Sequence, residues 1–178
     1  MNRLTAGFIG FVAALLLIPT FGYLFLAFGN PPVAVADKPF PFEAQIVRIP
    51  RHARIHREMP KSSPLNQNDA NLVAGARIYN QDCAACHGLQ DQASPFGKTM
   101  YPRAPDLWEK HKNGVVGVSD DPVGETYWKV KNGIRLTGMP AFQSLLTETQ
   151  MWQVSMLLSL ANKPLPIEAT EVLNKPTH

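Results

Sequence analysis

Apolar and polar positions divide the chain into three regions with different patterns. The first is a run from Leu4 to Phe28 in which every residue is uncharged and most are apolar. An α-helix rises 1.5 Å per residue, so a run of about 25 residues can cross a hydrocarbon core of about 30 Å with some tilt. The pattern predicts a transmembrane anchor over residues 1–28, and we expect Pro19 to kink this helix rather than end it.

A cleavable signal peptide is the alternative interpretation of this run. Pro31 and Pro32 are followed by Ala34-Val35-Ala36, which is similar to a signal peptidase site. The apolar part of a signal peptide has about 7–15 residues, however, and this run is longer. Length therefore favours an uncleaved anchor. Only Arg3 precedes the run, so the positive-inside rule gives little help with its orientation.

Residues 29–69 contain seven prolines and show no convincing helical period. They predict an extended linker. Its second half carries five basic residues with a single acidic residue, Glu58, between them: Arg48, Arg51, Arg54, Arg57 and Lys61. The basic charge fits attraction to anionic headgroups, worth about 1 kcal/mol per side chain near the surface. Two other interpretations of the linker remain open. It could be an arm that lies over a partner subunit, held by apolar residues between Phe40 and Ile49, or a solvated semi-rigid tether.

Helical periodicity returns after Asp69 and predicts a small all-α domain over residues 70–178. Three amphipathic helices are expected there, one from about Ala70 to Asp82, one from Asp121-Pro122 to Asn132-Gly133, and one from the capping box at Thr147 to Asn162. About 100 residues can bury one core. The domain contains as many acidic as basic residues, so the net charge of +3 comes from the anchor and the linker.

The only two cysteines lie in the sequence Cys83-Ala84-Ala85-Cys86-His87, and this C-x-x-C-H pattern is typical of covalent haem attachment. Each thiol can bind one haem vinyl group, and His87 would then be the proximal iron ligand. A zinc site would need about four ligands, and no second pair lies at a suitable spacing. A redox dithiol would need a βαβ setting, whereas this motif follows a helical pattern.

The residues from Gly75 to Gly88 resemble the N-terminal helix and haem motif of class I c-type cytochromes. In that family a small residue and an aromatic residue one turn later pack against the C-terminal helix. The resemblance assigns these roles to Gly75 and Tyr79, with Trp152 as the aromatic residue of the opposing helix. It implies one covalent haem c at the centre of a single-haem domain.

A second stretch, Asn132 to Phe142, resembles the family's loop that carries a methionine sulfur to the haem. Met139 is the axial ligand that this resemblance implies, and Gly138 and Pro140 would shape its turn. Met100 and His111 remain alternatives. Met151 and Met156 lie within a helical pattern and are interpreted as packing residues.

The Pro- and Gly-rich loop over residues 88–120 resembles the family's loop beside the haem propionates. Tyr101, Arg103 and Trp108 can each donate a hydrogen bond to a carboxylate, and they are candidate propionate contacts. Ordinary surface-loop residues are the equally weighted alternative.

Two axial ligands leave no open iron position, so the expected function is one-electron transfer by an electron carrier rather than enzymatic catalysis. Covalent haem attachment resembles that of proteins matured outside the bacterial cytoplasmic membrane, which implies a single-pass protein with its haem domain on the periplasmic side. Redox proteins of a respiratory-type chain are the expected partners, and no nucleic-acid partner is expected. An electron-relay subunit of a larger membrane complex, or a haem enzyme or gas sensor, are the alternatives.

Overall fold

The computed structural model describes residues 2–111 and 113–175, and these residues are helical without a β-strand. This confirms the all-α prediction. The α-helices in chain order are α1 (Arg3–Phe28), α2 (Glu43–Glu58), α3 (Asp69–Ile78), α4 (Ala84–His87), α5 (Pro95–Lys98), α6 (Val123–Asn132), α7 (Glu148–Ser159) and α8 (Ile167–Leu173). A π-helical segment, Tyr79–Cys83, joins α3 to α4, and a 3-10 turn, Phe142–Ser144, precedes α7.

The chain divides into two compact units, Met1–Glu43 and Ala44–His178. The first unit contains α1, whose mean hydropathy reaches 2.2. Within the described residues, α1 is the one helix whose length and composition suit a membrane span. Its carboxyl end is followed by a tight turn, in which the Asp37 carboxylate accepts hydrogen bonds from the amides of Val33 and Ala34, both at 2.8 Å.

The prediction of an extended linker is wrong for its central part, where the structure contains α2. Pro50 lies inside this helix and removes a backbone donor, which weakened the helical pattern in the sequence. Tertiary contacts offset that cost. Ile55 is only 2 % exposed, and the Glu58 carboxylate accepts a hydrogen bond from Trp128 Nε1 at 3.1 Å. The backbone of Pro60 lies directly against Gly124, at the beginning of α6.

The second unit has its core between α3, α6, α7 and α8. Tyr79 and Leu157 are completely buried, and the rings of Tyr127 and Trp152 stack at 4.0 Å. The capping box of α7 is present at Thr147 and Gln150, as the sequence predicts. The first predicted helix differs at its start, because the side chain of Asn68, not Asp69, accepts the capping hydrogen bond.

That first helix also differs at its end. The predicted helix continued to Asp82, whereas α3 ends at Ile78 and the wider π-helical segment follows. Such segments are rare and occur frequently at functional sites. The amide of Asn80 donates to the carbonyl oxygens of Val172 and Lys175, both at 2.6 Å, and so holds the segment against α8. The sequence analysis did not predict α8.

Candidate functional site

The C-x-x-C-H motif begins at the last residue of the π-helical segment and continues through α4. The Tyr79 hydroxyl lies beneath this turn and donates to the Gly88 carbonyl at 2.7 Å, with the His87 carbonyl at 3.2 Å. Gly88 has φ of 76°, a conformation that favours glycine, and its carbonyl can therefore face Tyr79. The aromatic residue predicted for helix packing thus also holds the end of the motif.

The loop that follows the motif wraps around it. The Ser94 hydroxyl donates to the Ala85 carbonyl at 2.5 Å, and the Leu107 amide donates to the His87 carbonyl at 3.0 Å. Gly97 lies so close to the carbonyl of Cys86 that no side chain would fit there. Groups from both ends of the loop therefore contact the motif at Ala85, Cys86 and His87.

The ring of His87 has a defined orientation. Its Nδ1 lies 2.8 Å from the carbonyl oxygen of Pro105, and a carbonyl can only accept, so Nδ1 carries the proton. Burial lowers the pKa of His87, although Pro105 and the charge of Asp106 act in the opposite direction. The ring is therefore neutral at pH 7, with its lone pair on Nε2. This is the tautomer and the form in which histidine binds a metal, with Nδ1–H donating to a backbone carbonyl.

The chemistry of Cys83 argues against a redox dithiol. Burial, with smaller contributions from Asp82 and Cys86, raises the pKa of the Cys83 thiol to about 12. Reactive C-x-x-C pairs instead have a cysteine whose pKa is depressed, because the thiolate is the attacking form. Both cysteines are free thiols in the structure. Cys83 is therefore poorly suited to cycling through a disulfide.

Met139 lies on a loop that folds back on the carboxyl end of α6. The Ile134 amide donates to the Met139 carbonyl at 3.3 Å, and the Thr137 hydroxyl accepts from the Met139 amide at 3.1 Å. Gly133 has φ of 66° and lies against the backbone of this loop. The partly buried Met139 side chain packs on the same core cluster as Cys83.

The other candidate axial ligands occupy different environments. Met100 lies against Gly138, the residue before Met139, through its terminal Cε. His111 lies on an exposed loop, with its Nε2 3.2 Å from the Gly117 carbonyl. Met151 and Met156 are buried in α7, in the packing role that the sequence pattern indicates.

The three candidate propionate contacts also differ in their burial and in their hydrogen-bond partners. Trp108 is buried, and its ring meets that of Tyr79 edge-on at 5.6 Å. An interaction of the indole with the Tyr79 hydroxyl opposes the rise in the Tyr79 pKa that burial causes, but the Trp108 N–H makes no hydrogen bond of ordinary geometry with any described residue. The exposed Arg103 guanidinium lies 3.4 Å from the Asp106 carboxylate, and Tyr101 is 44 % exposed. Trp108 therefore has the unused buried donor that a carboxylate would satisfy.

Sequence analysis missed the residues that orient the motif. Pro105 acts through its backbone carbonyl, for which no side-chain pattern exists. Ser94 also caps α5, since it accepts from the Gly97 amide at 2.9 Å. Its position before Pro95 was a signal for that cap, because proline is common in the first turn of a helix.

Comparison with known families assigns the domain. The model of the family described as "Cytochrome C oxidase, cbb3-type, subunit III" matches residues 70–156, just under half of the chain. The match indicates a c-type cytochrome domain over residues 70–156. The cytochrome domain is consistent with the single-haem class I type, and it implies haem c and haem-based electron transfer. No curated protein matches the chain.

The residues of the cytochrome domain fit such a haem on structural grounds. His87 is neutral and orients Nε2 as an acceptor, and a thioether is available at Met139. The buried Trp108 N–H makes no hydrogen bond of ordinary geometry with another described residue. Imidazole and thioether are one of the ligand pairs that hold haem iron in cytochromes.

Proposed function

We propose that the protein transfers single electrons through one covalently bound haem c, held by Cys83 and Cys86, with His87 and Met139 as axial ligands. The observation that carries the proposal is the 2.8 Å hydrogen bond between His87 Nδ1 and the Pro105 carbonyl. It presents Nε2 of the histidine in the motif as a neutral ligand. When bound, the haem supplies an iron that alternates between the ferrous and ferric states.

The protein's own residues have separate tasks in this proposal. Cys83 and Cys86 each form a thioether, and the Tyr79, Ser94 and Leu107 hydrogen bonds keep their turn rigid. A rigid site undergoes little rearrangement when the charge changes by one unit. Met139 occupies the second axial position, and Trp108 donates to a propionate. With both axial positions filled by side chains, substrate or gas binding is not supported, which favours electron transfer over a haem enzyme or sensor.

The proposed location is the bacterial cytoplasmic membrane, with α1 as a single span and the cytochrome domain on the periplasmic side. The support is the length and apolarity of α1, together with the place where c-type haem is attached. A second candidate function is that of an electron-relay subunit in a larger membrane complex. It is favoured by the matched family, whose description names a subunit of a cytochrome c oxidase.

Haem attachment is tested by denaturing the purified protein and extracting it with acidified organic solvent. We expect the haem to remain with the polypeptide, and extraction of the haem would contradict covalent attachment. Purification from native membranes in mild detergent separates the two functions. A stable set of co-purifying subunits supports the relay role, whereas a chain that elutes alone supports a tethered carrier with redox partner proteins.

A further inference from the structure

Helix α2 has an apolar face that the protein does not cover. Ile46 and Ile49 are 66 % and 71 % exposed, and Ala53 completes the same face one turn later. Phe42, just before the helix, is also exposed. Ile55, the buried residue of α2, lies on the opposite side from Ile46, since the nine positions that separate them correspond to about two and a half turns. The helix thus has one side that packs within its unit and one apolar side that faces outward.

The other exposed positions of α2 carry several arginines. Arg48 and Arg51, seven and four residues before Ile55, lie on the same side of the helix as Ile55. Arg57, four residues after Ala53, lies next to the apolar side. Arg48, Arg51 and Arg57 are exposed, and within residues 2–111 and 113–175 they form no salt bridge. Arg54 differs, because its Nε lies 2.9 Å from Glu58 Oε1. A helix with apolar residues on one exposed side and arginines on its polar side is the pattern that binds at a membrane–water interface.

The position of α2 in the chain points to the same surface. In the first unit, the rings of Phe25 and Phe40 lie 6.2 Å apart, and Phe25 is one turn from the end of α1. The Phe40 amide donates to the carboxylate of Glu43, the first residue of α2, at 2.9 Å. The chain therefore returns to the end of α1 just before α2 begins.

We propose that α2 is an interfacial helix that lies on the membrane that α1 spans. Phe42, Ile46 and Ile49 enter the headgroup region, and Arg48, Arg51 and Arg57 pair with anionic phospholipid. Anionic lipid fits better than a partner protein for two reasons. The free charges on the helix are all of one sign, and α1 keeps the start of α2 at the lipid surface. The contact would hold the cytochrome domain, which follows α2 directly, close to the membrane.

A photocrosslinking amino acid at position 46 of the full-length chain in its native membrane tests this contact. We expect an adduct with phospholipid, identified by its mass. The matched control is the same amino acid at Ile167, which is 81 % exposed in α8 and should give no lipid adduct. A protein adduct at position 46 would overturn the proposal in favour of a docking arm, and the absence of any adduct there would overturn it in favour of a tether.

The charge requirement is tested with the full-length chain in nanodiscs. Replacing phosphatidylcholine partly by phosphatidylglycerol should raise the adduct yield at position 46, and Arg48→Gln, Arg51→Gln and Arg57→Gln together should lower it at least about threefold. The control removes three exposed lysines from the cytochrome domain, through Lys98→Gln, Lys110→Gln and Lys163→Gln, and should leave the yield unchanged. Equal yields in both lipids would contradict the proposal. Haem absorption, followed in parallel, reports separately on the proposed electron-transfer function.

Discussion

Gly75 of α3 lies directly against the backbone carbonyl of Gln153 in α7, so the two helices cross with no side chain between them. A Cβ at position 75 would also come within 3.2 Å of the Leu157 side chain, which is completely buried. Two backbones can approach this closely only where glycine is present. The crossing places Tyr79, one turn later, beneath the haem motif.

We therefore expect Gly75→Val to destabilise the cytochrome domain. Overpacking of a close-packed core costs about 1–3 kcal/mol, and thermal unfolding should shift down by about 4–8 °C per kcal/mol for a domain of this size. Thermal melts of the haem-loaded protein provide the measurement. The control is Ala70→Val, which adds a β-branched side chain at an exposed position of the same helix. Equal melting temperatures for the two variants would show that the crossing tolerates a side chain.

The helix crossing was predictable because it depends on residue types in a short stretch. A glycine in a helix is costly, and its place four residues before Tyr79 indicated a close contact. The capping box at Thr147 was predictable for the same reason. Helix α2 was not, because its stability depends on Ile55 and on the Glu58–Trp128 hydrogen bond, which joins residues 70 positions apart in the chain. No local pattern reports such a contact.

In the candidate site too, some features were visible in the sequence and others depend on contacts between distant residues. Cys83, Cys86 and His87 are adjacent in sequence, so their motif was visible without a structure. The orientation of His87 was not, because it depends on a backbone carbonyl at Pro105. The choice of Trp108 over Arg103 and Tyr101 as the propionate contact also required the structure. All three can donate to a carboxylate, and only burial and existing partners distinguish them.

Serine substitutions test the two proposed thioethers separately. Each cysteine should supply one link, so Cys83→Ser and Cys86→Ser should each leave at most one, and the pyridine haemochrome band should shift in both. The double variant should release its haem to acidified organic solvent. Ser94→Ala is a useful control, since it removes the hydroxyl that donates to Ala85 but leaves both thiols. A wild-type haemochrome band in either single variant would rule out that cysteine as an attachment site.

Methionine substitutions test the second axial ligand. Met139→Ala should leave the iron five-coordinate or water-bound, abolish the weak sulfur-to-iron charge-transfer band of the ferric protein, and admit cyanide or carbon monoxide readily. Met100→Ala is the matched control, because the Met100 side chain reaches Gly138 beside the proposed ligand. It should retain the band. Loss of the band in Met100→Ala, with retention in Met139→Ala, would assign the ligand to Met100 instead.

Trp108→Phe tests the proposed propionate contact. The change keeps an aromatic ring beside Tyr79 but removes the buried N–H. A propionate without this donor keeps more negative charge near the iron, which favours the ferric state. We expect the reduction potential to fall by on the order of 30 mV. This is half of the roughly 59 mV that corresponds to a tenfold change in the equilibrium constant of a one-electron reaction. Trp128→Phe removes an indole N–H that is already bonded to Glu58, and it should leave the potential unchanged. Equal shifts in both variants would argue against a specific contact at Trp108.

The contact between α2 and α6 should weaken in acid. The hydrogen bond from Arg54, followed by that from Trp128, lowers the pKa of Glu58 below its ordinary 4.5. A lowered pKa means that the folded protein favours the carboxylate. The stabilisation is therefore complete above about pH 4.5 and is lost as the pH falls through the lowered value. Below that value the protonated carboxyl is a weaker acceptor for the Trp128 indole, and α2 should separate more easily from α6.

The chain has three tryptophans, so ¹⁵N-tryptophan labelling gives three indole resonances that can be assigned by substitution. In detergent micelles the Trp128 indole resonance should titrate with a midpoint below pH 4.5, and the Trp152 resonance should not follow it. Glu58→Gln should abolish this titration because the amide oxygen accepts the bond without changing charge. Glu43→Gln, at the other end of α2, should leave it intact. A Trp128 titration that survives Glu58→Gln would show that another group, not Glu58, controls the contact.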